Sequence, residues 1–212
     1  MNPTTITTAD PSRELAGVDV EGVSREAFLV KGVLAAGAVY GAGMISPFLR
    51  SAFAQTEMGD LDILNFALTL EYLEADFYRR APTLRLSSEA RMVAKDFGDA
   101  EQQHVDALRG TIRKLGGKPV ASPMFTFPMK DEKSFLKLAQ TLEDTGVSAY
   151  NGAGPMIKSK DVLAAAGSIV QIEARHAAVI RLLRGQQPAP NAFDPALTKQ
   201  QVLTAVKPLI RT

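Results

Sequence analysis

The chain has 212 residues, 46% of them hydrophobic and 22% charged, which is an ordinary balance for one globular domain with a sizeable core. This composition excludes a disordered, collagen-like or coiled-coil rod protein. The 24 Lys and Arg residues against 23 Asp and Glu give a net charge of +1, and the basic residues are scattered, so we expect no nucleic-acid partner. Because cysteine is absent and only two His residues are present, any metal ion must be held by oxygen and imidazole ligands.

Residues 1–54 have the order of a leader with an export signal. A stretch with basic residues at 24–31 leads into an apolar, Gly- and Ala-rich run at 33–45, and an Ala-Phe-Ala triplet at 52–54 supplies a small-residue cleavage site. We therefore expect cleavage after this triplet, a mature domain over residues 55–212, and a periplasmic or extracellular location.

The alternative to a cleaved signal is a retained membrane anchor. The apolar run at 33–45 is short for a bilayer core of roughly 30 Å, which favours the cleaved signal, so we expect membrane association only if the segment is retained. Ser24, Arg25, Phe28 and Leu29 resemble the core of a twin-arginine signal. Glu26 stands where that family has its second arginine, which leaves the export route open.

The mature domain is predicted to be helical. Apolar residues recur at helical spacing in four long segments, and no segment alternates as a strand does. Proline or glycine follows each segment, and Ser or Thr can cap several of their starts. The predicted helices span residues 60–80, 88–115, 133–150 and 159–185, followed by a short helix at 198–206.

The lengths of the connections predict how these helices pack. The first and second helices, and the third and fourth, are joined by short links, so each pair should form an antiparallel hairpin. About 15 residues join the second helix to the third, and at roughly 3.3 Å per residue they can run the full height of a bundle. We therefore predict an all-α, ferritin-like four-helix bundle with one long crossover between helices 2 and 3 and a short C-terminal helix.

Polar residues interrupt the apolar faces of the four long helices. Glu101 and His104 lie on the apolar face of the second helix, and Glu173 and His176 lie on that of the fourth. Spacing of three residues lets a Glu and a His of one helix reach the same metal ion. Because buried carboxylates without partners are costly, a shared metal site explains these positions better than four separate exceptions.

The other two helices add one carboxylate each, and the pattern repeats. Glu71 and Glu143 both follow Thr-Leu, and each precedes a tyrosine, Tyr78 or Tyr150, by seven residues. Each glutamate, tyrosine and Glu-x-x-His pair of the first hairpin has its counterpart 72 residues later. The two hairpins therefore look like a duplicated unit.

This ligand set resembles that of the ferritin-like di-iron and di-manganese carboxylate proteins. The likeness covers roughly residues 60–210; residues 63–78 and the Asn-Ala-Phe-Asp-Pro motif at 191–195 resemble the ferritin-like, desiccation-related branch. The resemblance implies that Glu71 and Glu143 are terminal or bridging ligands. It implies that the paired ligands are Glu101, His104, Glu173 and His176.

The resemblance also indicates which metals and reactions to expect. We expect two metal ions, iron or manganese with zinc as an alternative, because the charge of four carboxylates is balanced by two divalent cations. Oxygenases of this superfamily usually carry an acidic residue before the Glu of Glu-x-x-His, whereas Ala100 and Ile172 stand here, which argues against a hydroxylase.

Three nearby residues have two interpretations. Glu74, three residues after Glu71, is either an alternative ligand or a solvated neighbour at the edge of the apolar face, and the second interpretation is favoured. Tyr78 and Tyr150 are either core residues whose hydroxyl groups bind ligand carboxylates or one-electron redox partners, and the first is favoured.

Two classes of function follow from the sequence. The first is an exported oxidoreductase that reacts with dioxygen or peroxide in stress protection, as a ferroxidase, a peroxidase or a catalase-like enzyme. The second is a non-catalytic, metal-stabilised structural or stress-protective bundle, in one form a subunit of a larger or membrane-associated assembly. The expected partners are metal ions and dioxygen or peroxide, and a homo-oligomer is left open.

Overall fold

The structure, a computed structural model, describes residues 58–211. The predicted leader and its boundary after residue 54 lie outside these residues. The described part contains five α-helices, which are α1 (Asp60–Arg80), α2 (Ser88–Lys114), α3 (Glu132–Ala153), α4 (Lys160–Leu183) and α5 (Lys199–Val206). It also contains two short strands, β1 (Met124–Phe125) and β2 (Ile210–Arg211). Between residues 58 and 211, no helix combines the length and apolar character needed to cross a membrane.

The helices begin where side chains can cap them. The side chains of Ser87, Ser159 and Thr198 each accept a hydrogen bond from a backbone N–H in the first turn of α2, α4 and α5. Asp131 and Ser134 form a reciprocal capping box at the start of α3. These local signals explain why the starts predicted from the sequence lie within a residue or two of the observed ones.

Contacts at the two ends of the bundle define its topology. Asp60, at the start of α1, accepts a hydrogen bond of 2.8 Å from the backbone N–H of Ser159, at the start of α4. At the other end, the backbone N–H of Ser87 donates to Glu132, so that α2 and α3 begin side by side. Since α1 packs on α2 and α3 on α4, the connection 115–131 runs the length of the bundle. This confirms the predicted all-α, ferritin-like bundle with one long crossover.

The expectation of no strand was wrong. Strand β1, within the crossover, pairs antiparallel with β2 at the end of the described chain, with Met124 opposite Arg211 and Phe125 opposite Ile210. Two-residue strands are too short to show alternation, so the sequence pattern could not reveal them. The pairing and the docking of α5 on α3 attach the C-terminal tail to the crossover.

Buried apolar side chains form two clusters within the bundle. One contains Phe77, Tyr78 and Phe135, and the other contains Leu68 and Tyr150 among its members. Both tyrosine hydroxyl groups bind carboxylates of the predicted site, Tyr78 from one cluster and Tyr150 from the other. The polar residues therefore lie between two apolar layers.

Candidate metal centre

All six residues predicted as metal ligands meet in the middle of the bundle. The four carboxylates are 0% exposed, the side chain of His176 is 7% exposed and that of His104 is 12% exposed. Each of the four long helices contributes at least one of them. The set is Glu71 from α1, Glu101 and His104 from α2, Glu143 from α3, and Glu173 and His176 from α4.

These residues form two overlapping groups of possible ligands. Within each group, one ligand atom per residue lies within 4.8 Å of all the others. The His104 group consists of Glu71, Glu101, His104 and Glu173, and the His176 group consists of Glu101, Glu143, Glu173 and His176. Glu101 and Glu173 belong to both groups, as carboxylates that bridge two adjacent cations would.

The two groups are related by the repeat seen in the sequence. A shift of 72 residues exchanges Glu71 with Glu143, His104 with His176, and Glu101 with Glu173. Applied to the His104 group, this exchange gives the members of the His176 group. The duplicated hairpins therefore build one centre with two similar halves.

The two tyrosines connect the hairpins through this centre. The hydroxyl group of Tyr78 donates a hydrogen bond to Glu143, and that of Tyr150 donates to Glu71 at 2.6 Å. Burial, followed by the charge of the bound glutamate, raises the pKa of both phenols well above the usual value, so both remain donors. This geometry agrees with the favoured interpretation of both as residues that orient ligand carboxylates.

His104 carries a proton that offsets part of the negative charge. Its Nδ1 lies 2.9 Å from Glu101, 3.1 Å from Glu173 and 3.2 Å from Glu71. Burial lowers the pKa of His104, but hydrogen bonds to these three carboxylates outweigh burial and raise it to about 12. For Glu101, burial raises the pKa, and hydrogen bonds from His104 and His176 together lower it to about 2.

The remaining three carboxylates are poorly compensated. Burial raises the pKa of Glu71, Glu143 and Glu173 well above the usual value, and a second carboxylate of the cluster raises each pKa further. For Glu71 this second carboxylate is Glu173, and for Glu143 and Glu173 it is Glu101. Without added positive charge, these groups are stable only when protonated.

Several buried atoms of the centre have no hydrogen-bond partner among the described residues. They are Oε1 of Glu101, Oε2 of Glu143, both carboxylate oxygens of Glu173 and Nδ1 of His176. The Nδ1 atom of His176 lies 2.9 Å from Glu101, but this contact is not aligned as a hydrogen bond. Native proteins rarely leave such atoms unpaired. Their oxygen and imidazole chemistry and their excess negative charge fit two divalent cations.

The favoured interpretation of Glu74 as a solvated residue was wrong. Its side chain is only 2% exposed, and its Oε1 lies where a side chain at Gly146 of α3 would be. A Cβ atom at Gly146 would lie 3.3 Å from Oε1 of Glu74 and 3.1 Å from Oε2 of Glu173. Room for Glu74 therefore depends on a glycine of the facing helix, which helical periodicity alone does not reveal. The 72-residue spacing was the signal that could have paired these positions.

Comparisons with known proteins agree with this architecture. The model of the ferritin-like domain family matches residues 59–186. Among solved structures, the chain is similar to a conserved hypothetical protein, rv2844, from Mycobacterium tuberculosis, with a TM-score of 0.55 and 18% identity over 63% of this chain and 96% of that one. The search of curated proteins finds no match. The desiccation-related branch stays a prediction. On the family match over most of its length, the chain belongs to the ferritin-like domain family.

Proposed function

We propose that the protein binds two metal ions, one in each half of the centre, and that these are iron or manganese, with zinc as an alternative. The observation that carries this proposal is the pair of overlapping ligand groups with unpaired buried atoms. Glu71 and His104 would bind one ion, Glu143 and His176 the other, and Glu101 and Glu173 are placed to bind both. The charge of two divalent cations would balance these four carboxylates.

We further propose that the loaded protein is an oxidoreductase acting on dioxygen or peroxide in stress protection, as a ferroxidase, a peroxidase or a catalase-like enzyme. Two adjacent iron or manganese ions supply two electrons in one reaction, which is the number needed to reduce peroxide to water. Tyr78 and Tyr150 would keep Glu143 and Glu71 oriented. The apolar clusters on either side would keep the centre dry.

A cleft beside α1 and α2 supports access by a small oxidant. The cleft has a volume of about 540 Å³, and Tyr78 and Gly98 are among the residues that line it. Tyr78 separates the cleft from Glu143, to which its hydroxyl group donates a hydrogen bond. Dioxygen or peroxide in this cleft would therefore be one side chain away from the metal centre.

The proposed activity predicts a reaction that depends on the centre. Metal-free protein is loaded without oxygen with two equivalents of Fe²⁺ or Mn²⁺ and mixed with dioxygen or peroxide in a stopped-flow instrument. We expect metal oxidation or peroxide consumption faster than for the same metal in buffer. The matched control is Asp99→Asn, which removes an exposed carboxylate of α2 two residues before Glu101 and should leave the rate unchanged.

One observation favours the non-catalytic alternative. The four carboxylates are completely buried, so no ligand oxygen is directly open to solvent. A protein that binds two ions tightly but reacts with dioxygen and peroxide no faster than free metal would be a metal-stabilised structural or protective bundle. That result would reject the oxidoreductase and retain the metal site.

Export is proposed from the sequence signal of residues 24–54. We expect the native protein, isolated from its host, to begin at Gln55 and to lie in the periplasm or outside the cell. N-terminal sequencing or intact mass measurement of the mature protein tests this. A native chain that begins at Met1 or Asn2 would contradict cleavage and favour a retained N-terminal segment.

A further inference from the structure

The two halves of the centre differ at one buried charge. The repeat pairs every proposed ligand with a residue of the same type, but it pairs Glu74 with Gly146. Both lie three residues after the glutamate that their helix contributes, Glu71 in α1 and Glu143 in α3. The centre therefore contains a fifth carboxylate that has no counterpart in the other half.

The surroundings of Glu74 offer it little compensation. Its Oε2 makes no hydrogen bond among the described residues, although the side chain is 98% buried. The nearest arginines in the sequence, Arg79 and Arg80, both bind Asp76 instead. An ionisable group held in this way is costly unless a ligand uses it.

Glu74 points toward the half of the centre built by the opposite hairpin. Its Oε1 shares the space above Gly146 with Oε2 of Glu173, and Gly146 lies one helical turn after Glu143. The pKa of Glu74 is raised well above the usual value by burial and then by Glu173 and Glu143, ahead of Glu101 and Glu71. Glu143 belongs only to the His176 group. This placement assigns Glu74 to that half.

We propose that Glu74 is a seventh metal ligand, which binds the ion in the His176 half and makes the two metal positions unequal. This inference rests on the proposed two-metal site. The His176 position then has five protein ligands, Glu74 together with the His176 group, whereas the His104 position has four. The richer carboxylate set binds a hard cation more tightly, and the poorer set leaves room for an exogenous ligand.

Stepwise metal binding tests this inference. The chelator-stripped full chain is titrated with Co²⁺ and followed by calorimetry and visible absorption. We expect two ions to bind the unaltered protein in two resolved steps. In Glu74→Gln the tighter step should weaken by roughly 10- to 100-fold or more, the loss found even for outer partners of metal ligands, while the weaker step is unchanged.

Single histidine variants identify the two steps. His176→Ala should abolish the tighter step, and His104→Ala should abolish the weaker one. Asp76→Asn is the matched control, because it removes a buried carboxylate of the same helix that binds Arg79 and Arg80. Its titration should match that of the unaltered chain. Glu74→Met, which keeps the side-chain volume without polar atoms, is the second variant if the glutamine variant does not fold.

The outcomes separate this inference from the proposed function. Two ions bound with the same affinities in Glu74→Gln and in the unaltered chain would overturn the role of Glu74 and leave the two-metal site standing. Weakening of the step that His104→Ala abolishes would overturn the assignment to the His176 half. An unaltered chain that binds no Co²⁺, Fe²⁺ or Mn²⁺ would overturn the two-metal site itself.

Discussion

Replacing both histidines with alanine, in the double variant His104→Ala/His176→Ala, should reduce the bound metal from two ions to well below two per chain. Each replacement removes the only imidazole of its group. It leaves behind the shared carboxylates Glu101 and Glu173, whose charges would then face each other with less compensation. The measurement is metal content per chain after loading and dialysis.

The control for this loss is a variant that changes the same helix outside the centre. In Asp99→Asn, an exposed carboxylate that binds Lys95 is removed, and the metal content should stay at two. Circular dichroism of the double histidine variant shows whether the bundle is retained. Two ions per chain in a folded double variant would mean that the buried cluster is not the metal site.

Metal removal should destabilise the protein most at neutral and mildly alkaline pH. In the metal-free protein, Glu71, Glu143 and Glu173 have pKa values raised above the ordinary 4.5, so their contribution to stability is present below that pH and is lost as pH rises. The contribution of His104, whose pKa rises from 6.5 to about 12, is also present below its ordinary value and lost as pH rises. Stability of the metal-free form should therefore fall between about pH 5 and pH 8.

Glu101 behaves in the opposite way but outside this window. Its pKa is lowered from 4.5 to about 2, so its contribution is present above pH 4.5 and is lost as pH falls toward 2. The loaded protein instead loses stability in acid, because protons compete with metal for the same ligands. The difference in stability between the two forms should thus narrow as pH falls from 8 to about 5.

Melting curves with and without chelator, recorded across this pH range, measure the difference. At a free metal concentration one hundred times the dissociation constant, binding linkage predicts a stabilisation of about 2.7 kcal/mol. Metal analysis of each sample confirms which form is present. Equal melting temperatures of loaded and metal-free protein at neutral pH would show that the carboxylates do not form a buried, mutually repelling cluster.

The four-helix fold was predictable because its signals are local or simple to count. Caps such as Ser87 and Ser159 mark helix starts within one turn, and a single long connection allows few ways to assemble two hairpins. The six candidate ligands were predictable because the only two histidines each follow a glutamate by three residues on an apolar face. No comparison with known proteins tests their role as ligands.

The features that the sequence did not predict depend on distant parts of the chain. The burial of Glu74 requires a facing glycine, Gly146, on a helix of the other hairpin, so its own helical position could not decide between solvent and core. Strand β1 exists because the tail returns to pair with Phe125 and Met124. Both cases are tertiary contacts between segments that are more than 70 residues apart.

The hydrogen bonds of Tyr78 and Tyr150 across the bundle bear on how such a chain could have arisen. Each hairpin supplies the tyrosine that orients the glutamate of the other, and each ligand group draws on both hairpins. One hairpin alone cannot build a complete half, whereas two copies related by a twofold axis could build both. Two identical copies would have to carry the same residue at the positions of Glu74 and Gly146. Joining the copies in one gene removes that constraint, so a fused chain can evolve two metal positions with different chemistry.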